Sequence, residues 1–424
     1  MSPTKYDSFP DGLKLSSEDE YGIVSRFAGT IRFPTVSAPE GFSLEPFHKM
    51  RQYSTTAWRN VFSSLDMELH GEASILLKWS GDSSLSLDPV MLAAHQDVVP
   101  AGDPARWSHD PWGGEMFNNR IWGRGTIDYK CGFAGMLEAV SLLLAAGFKP
   151  GRTVYLSFGH DEEIGGLLGA QAITESLQDR KILCSSVLDE GGYIYSDPHG
   201  AVTAEVAIAE KGYASFQLSA EAVQGHSSVP PDRTAIGVLA RAIVALNESS
   251  MPLPEVPEEI KSADWLQTTF APTILSGGCK ENILPGRAEV IVNTRPSPGS
   301  SVAAVLEYIL SVVEPLGVKV ELLDNGSVSE PSFVSSTDTK DFRALKRSIL
   351  NVVSKDTGFR CGVFPAATDS RRYSRVAKNA YRFMPVHLDQ KGIGALHSVD
   401  ESISTADYLR CVKFYAQYIQ RTCR

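Results

Sequence analysis

Five segments of this chain carry a histidine or an acid where an apolar or glycine-bounded run breaks off, and that recurrence limits the folds open to it. In the first, V-M-L-A-A runs apolar from Val90 to Ala94 and stops at His95, with Asp97 following. Side chains two apart on an extended chain share a face. His95 and Asp97 are therefore expected together at the carboxyl end of a strand, where open α/β sheets bind ligands. The others are I-W-G-R-G-T-I-D-Y-K with Asp128, F-G-H-D-E-E-I-G-G with Glu162 and Glu163, V-L-D-E-G-G with Asp189 and Glu190, and A-L-H-S-V-D-E with His397. Gathering so many acids at one sheet edge is costly unless cations neutralise them. Two zinc-like ions sharing a bridging carboxylate satisfy that demand, about 3.5 to 4 Å apart. Zinc takes mixed histidine and carboxylate ligands, and an extra acid beside them serves as general base. Glu162 and Glu163 are placed to divide those two jobs.

The intervening pattern gives the fold class. RTVYLSFG and CSSVLDEGG read as buried strands, and 136–146 as a helix closed by Gly147. Strands alternating with helices predict an α/β sheet, mixed and mostly parallel, flanked by helices. With 424 residues the chain exceeds one ordinary core. After about residue 210 the order becomes β-α-β-β-α-β, the ferredoxin-like split unit. We expect a catalytic domain in two parts, 1–211 and 325–424, with 212–324 inserted as a smaller domain.

Composition excludes several functions. A net charge of −10 without a long basic run argues against nucleic acid and anionic membranes as partners. No window of eighteen apolar residues predicts a transmembrane helix, and the first residues lack an apolar signal core. The six cysteines are scattered, so a reduced, cytoplasmic chain is expected. No G-x-S-x-G or P-loop pattern occurs.

Taken together, H-Q-D-V-V-P, G-R-G-T-I-D-Y-K, D-E-E-I-G-G, D-E-G-G, G-H-S-S-V-P and the late L-H-S resemble the di-zinc aminoacylase and carboxypeptidase superfamily, most of all its carboxypeptidase S branch. The resemblance covers nearly the whole chain, in the family's order. It implies a zinc-exopeptidase-like fold whose inserted domain is a lid and dimerisation domain. It further implies that His95 ligates the first metal, with Asp97 orienting it, and that Asp128 is the bridging carboxylate. Glu162 matches the general base, Glu163 and His397 the second metal's ligands. The remaining ligand lies in D-E-G-G: Glu190 by its place before glycine, with Asp189 open because sequence does not fix the strand's phase. His226 in G-H-S-S matches the histidine that stabilises the oxyanion, often across a dimer. Asn282 in E-N-I-L-P-G-R and Arg371 in A-T-D-S-R-R match residues that hold the substrate, the latter its carboxylate. Cys131 departs from the family's usual small residue and reads as buried packing.

The expected activity is metal-dependent hydrolysis of a peptide or N-acyl amino acid at the amide bond next to a free carboxylate. Zinc is the expected metal, with cobalt and manganese suited to the same ligands. The rivals are an N-acyl amino acid synthase using the same site, and a non-catalytic binding relative. A homodimer through the inserted domain follows from the resemblance alone.

Overall fold

The computed structural model describes residues 15–324 and 326–423. The chain divides into two units: one holds 15–208, 335–360 and 368–423, the other 209–334 and 361–367. The expected insertion bounds of 212 and 324 fall inside the second unit, and 361–367, read as catalytic domain, also belongs to it. The strand Gly358–Phe364 crosses that boundary, which local patterning does not reveal.

The first unit is built on a mixed sheet. Its middle is parallel, in the order Val154–Gly159, Val90–His95, Ser186–Asp189, Ala380–Arg382. Antiparallel strands flank it, beginning with Ser74–Trp79 and Asp66–His70 on one side. Every residue of Val90–His95, Val154–Gly159 and Ser186–Asp189 is buried. Such strands read as continuous apolar runs because both faces are covered. Parallel order puts their carboxyl ends at one edge, and register sets His95 beside Gly159.

The helix expected over 136–146 begins earlier, spanning Lys130–Ala145. Its first turns carry Gly132 and Gly135, and glycine is a weak helix former. Gly132 is a close-approach position: a Cβ there would lie 2.4 Å from the Tyr129 ring. The helix is packed by Val90–His95, Ser17–Ile31 and Thr405–Thr422. Its one buried acid, Glu138, accepts from Arg26 Nε and Nη2 at 2.9 and 2.7 Å and from Trp58 Nε1 at 2.7 Å. Those partners make burial of the charge tolerable.

The second unit has the order β-α-β-β-α-β. Its strands Ala214–Glu221, Thr269–Gly277, Arg287–Arg295 and Val318–Leu323 form an antiparallel sheet in which the first strand lies between the third and fourth. Arg287–Arg295 alternates between buried and partly exposed side chains, as a strand with one covered face must. The helices Ala235–Glu248 and Val302–Val313 bury Val238, Leu239, Val305 and Ile309 against Phe216, Leu218, Val290 and Val292. Thr234 and Ser301 cap them, accepting from Gly237 and Ala304 backbone N–H groups. No helix among the described residues is long and apolar enough to cross a membrane.

Candidate metal centre

His95 ends its strand with both ring nitrogens engaged. Nδ1 lies 3.0 Å from the Asp97 carbonyl oxygen and 3.4 Å from Asp97 Oδ1. Nε2 faces Asp128 Oδ1 at 2.9 Å and Glu190 Oε1 at 3.3 Å. Gln96, between them in sequence, turns the other way and donates to the Ala73 and Phe158 carbonyls at 3.1 and 2.9 Å. This pins the end of the strand and fixes which face His95 and Asp97 occupy.

Asp97 is fully buried. It accepts from the Ser37 hydroxyl at 2.5 Å and from the backbone N–H groups of Glu162 and Glu163 at 3.2 and 3.1 Å. One carboxylate thus fixes both the His95 ring and the turn bearing the acid pair. Ser37 carries no motif, and sequence reasoning missed it. The two glycines of D-E-E-I-G-G have a physical reason: Gly165 and Gly166 have φ of 111° and 66°, which side chains rarely adopt.

Asp128 faces the two histidines with different oxygens: Oδ2 lies 3.0 Å from His397 Nε2. The same imidazole nitrogen is 3.4 Å from Glu163 Oε2. His95, Glu162 and Glu190 form one group whose donor atoms lie within 4.8 Å of one another, and His95, Asp128 and Glu163 form another. Asp189 points elsewhere, accepting from the Ser370 hydroxyl at 3.0 Å and the Glu190 N–H at 2.9 Å. Arg371 and Arg372 both donate through Nη2 to the Gly165 carbonyl, at 2.8 and 3.0 Å. His226 and Asn282 lie in the second unit. The two-residue strands Gly225–His226 and Ile283–Leu284 pair, and Ser227 N–H donates to the Asn282 carbonyl at 3.1 Å. Cys131 is buried, its thiol 3.2 Å from the Ile127 carbonyl.

The electrostatics call for a cation. Burial, followed by the neighbouring Glu190 charge, pushes the Glu162 carboxyl well above the usual range. Burial and then Asp128 do the same to Glu163, and burial first of all lifts Glu190 to about 8. Burial opposes ionisation of Asp128 too, but hydrogen bonds from His397 and His95 outweigh it and hold this group below the usual range. Glu163 Oε1 is buried without a hydrogen-bond partner. An imidazole that donates through Nδ1 to a carbonyl turns its Nε2 lone pair outward, here toward carboxylate oxygens. Divalent cations suit that donor set: two imidazoles, converging carboxylates and an orphaned carboxylate oxygen.

A mixed α/β sheet bearing this centre at the carboxyl ends of its parallel strands defines a metallohydrolase. The profile of peptidase family M20/M25/M40 matches residues 91–421, and the chain belongs to that family. It is 32% identical to a probable carboxypeptidase S-like 2 of Dictyostelium discoideum, over 100% of this chain and 88% of that protein. It is 33% identical to the N-fatty-acyl-amino acid synthase/hydrolase PM20D1 of Xenopus tropicalis, over 96% of this chain and 87% of that one. The fold matches the crystal structure of Bacillus subtilis YXEP, a dinuclear metal-binding peptidase of the M20 family, with a TM-score of 0.63 at 12% identity, covering 96% and 99% of the two chains.

Proposed function

We propose that this protein is a two-metal amidohydrolase that cleaves a peptide or N-acyl amino acid at the amide bond beside a free α-carboxylate. The observation that carries this reading is the pairing of one carboxylate, Asp128, with two imidazoles, those of His95 and His397. His95, Asp128 and Glu190 would hold one cation, and Asp128, Glu163 and His397 the other. Zinc is the proposed metal. When bound, the cations supply Lewis acidity to the scissile carbonyl and a lowered pKa to the attacking water.

The chain's own residues do the rest. Glu162 takes the water's proton on a carboxylate oxygen and delivers it to the leaving nitrogen. Its burial beside Glu190 favours the protonated form, which suits the delivering half of that cycle. Arg371 fixes the substrate carboxylate with its forked guanidinium; its Nε is buried without a partner in the protein. His226 stabilises the oxyanion, and Asn282 orients the substrate. The second unit serves as lid and homodimer contact, and its edge strand Thr269–Gly277 leaves Ile274 and Leu275 exposed for that purpose.

The test is amino-acid release from a panel of dipeptides and N-acyl amino acids by zinc-reconstituted protein. Release that disappears with a chelator, and with C-terminally amidated substrates, supports the metal and carboxylate roles. Zinc-loaded protein that releases nothing from the panel overturns the reading.

A further inference from the structure

Behind the cluster lies a buried ion pair that the proposed chemistry does not use. Arg124 and Glu401 are 2% and 0% exposed. Arg124 belongs to the turn that leads into Asp128, and Glu401 follows His397. Glu401 Oε2 accepts from Arg124 Nη1 at 2.6 Å and from the Gly125 N–H at 3.0 Å. Its Oε1 accepts from the Ile127 and Asp128 N–H groups at 2.7 and 3.3 Å. Arg124 Nη2 in turn donates to the Ser398 carbonyl at 3.0 Å, next to His397. The Gly123 N–H donates to the Glu401 carbonyl at 3.0 Å, and the Arg124 guanidinium lies over the Trp107 ring, 5.3 Å from its centre.

Two features separate this arrangement from an ordinary internal staple. First, every bond ties the turn that presents Asp128 to the loop that presents His397. Second, that loop is held in an uncommon conformation: His397 and Asp400 have φ of 58° and 61°, a region that persists in non-glycine residues only where the surroundings over-determine it. Asp400 is fixed as well, accepting from the Ser108 N–H and hydroxyl at 2.6 and 2.9 Å. The pair is neutral overall, so it braces a carboxylate-rich centre without adding net negative charge.

We propose that Glu401 and Arg124 are positioning residues that hold the Asp128 turn and the His397 loop in register, and so set the affinity of the His397-bearing half of the centre for its cation. This rests on the two-cation reading above. Glutamine at 401 would turn an amide N–H toward either backbone donors or the guanidinium, so even this near-isosteric change breaks the brace. Groups that orient ligands from behind are worth about 10–100-fold in metal affinity.

The experiment is a cobalt(II) titration of metal-free full-length protein, followed by visible absorption. Wild type is expected to take up two equivalents. Glu401→Gln and Arg124→Lys are expected to bind the equivalent that needs His397 about 10–100-fold more weakly, and the other, which shares only Asp128 with the braced segments, to be weakened to a smaller extent. His397→Ala identifies which equivalent is affected. Excess metal should restore turnover to Glu401→Gln. Folded Glu401→Gln that binds both equivalents as wild type does overturns the proposal. If that variant does not fold, unchanged binding by Arg124→Lys overturns it equally. Wild type that takes up fewer than two equivalents overturns the two-cation reading, and this inference with it. That failure is distinguishable because it occurs before any substitution is made.

Discussion

His95 and Glu190 stand 3.3 Å apart, Nε2 to Oε1, His95 closing its parallel strand and Glu190 directly following its own. Asp189, one residue earlier, is turned instead toward the Ser370 hydroxyl. The two acids should therefore respond differently to substitution. Glu190→Gln is expected to lower bound metal below wild type after dialysis. Asp189→Asn should keep it and lose about 1–3 kcal/mol of stability, the cost of disturbing a buried acceptor. Metal content by mass spectrometry and urea midpoints check both. Full metal content in Glu190→Gln would remove that residue from the ligand set.

Glu162 is proposed to move protons. Glu162→Gln removes the base while preserving shape, and is expected to lower kcat by about 10²–10⁴-fold. Steady-state kinetics on metal-loaded protein test it. A variant with more than a tenth of wild-type kcat would reject the assignment.

Glu138 is a structural counterpart, buried and bonded to Arg26 and Trp58. Glu138→Ala leaves the guanidinium and the indole N–H without their acceptor, and should destabilise the fold by about 3 kcal/mol. The kcat of the folded fraction should not change. Thermal unfolding and active-site-normalised kinetics separate the two effects.

Lys211, in the second unit, donates to the Gln267 carbonyl. Burial, and after it the charge of Arg295, lower its amine from 10.5 to about 8. Between those values the unfolded chain binds more protons at this site than the folded one, so stability rises with pH across the window. The burial penalty is fully present below about pH 8 and is relieved toward pH 10.5. Lys211→Met should remove this slope. Urea unfolding of both proteins at the two ends of the window is the check, and parallel pH profiles would contradict the assignment.

Legibility in the sequence followed locality. The strands Val90–His95 and Arg287–Arg295 are visible because a covered strand is written in consecutive or alternating side chains. The start of Lys130–Ala145 was not, because Gly132 and Gly135 weaken a helix locally, and the reason for Gly132 is the Tyr129 ring packed against it. The extent of the second unit is not written locally for a related reason, since 361–367 joins it from far along the chain.

The sequence alone determined the chemistry on offer: which residues are acids or imidazoles, and that they follow buried strands and glycine turns. Tertiary structure decided which of them meet. It turned Glu190 rather than Asp189 toward His95, gave Asp97 its Ser37 donor, and paired Arg124 with Glu401 across 277 residues. The reason is physical. A side chain's character and its face on a strand are local properties. Its partner depends on register and loop closure between distant segments, which only the packed whole selects.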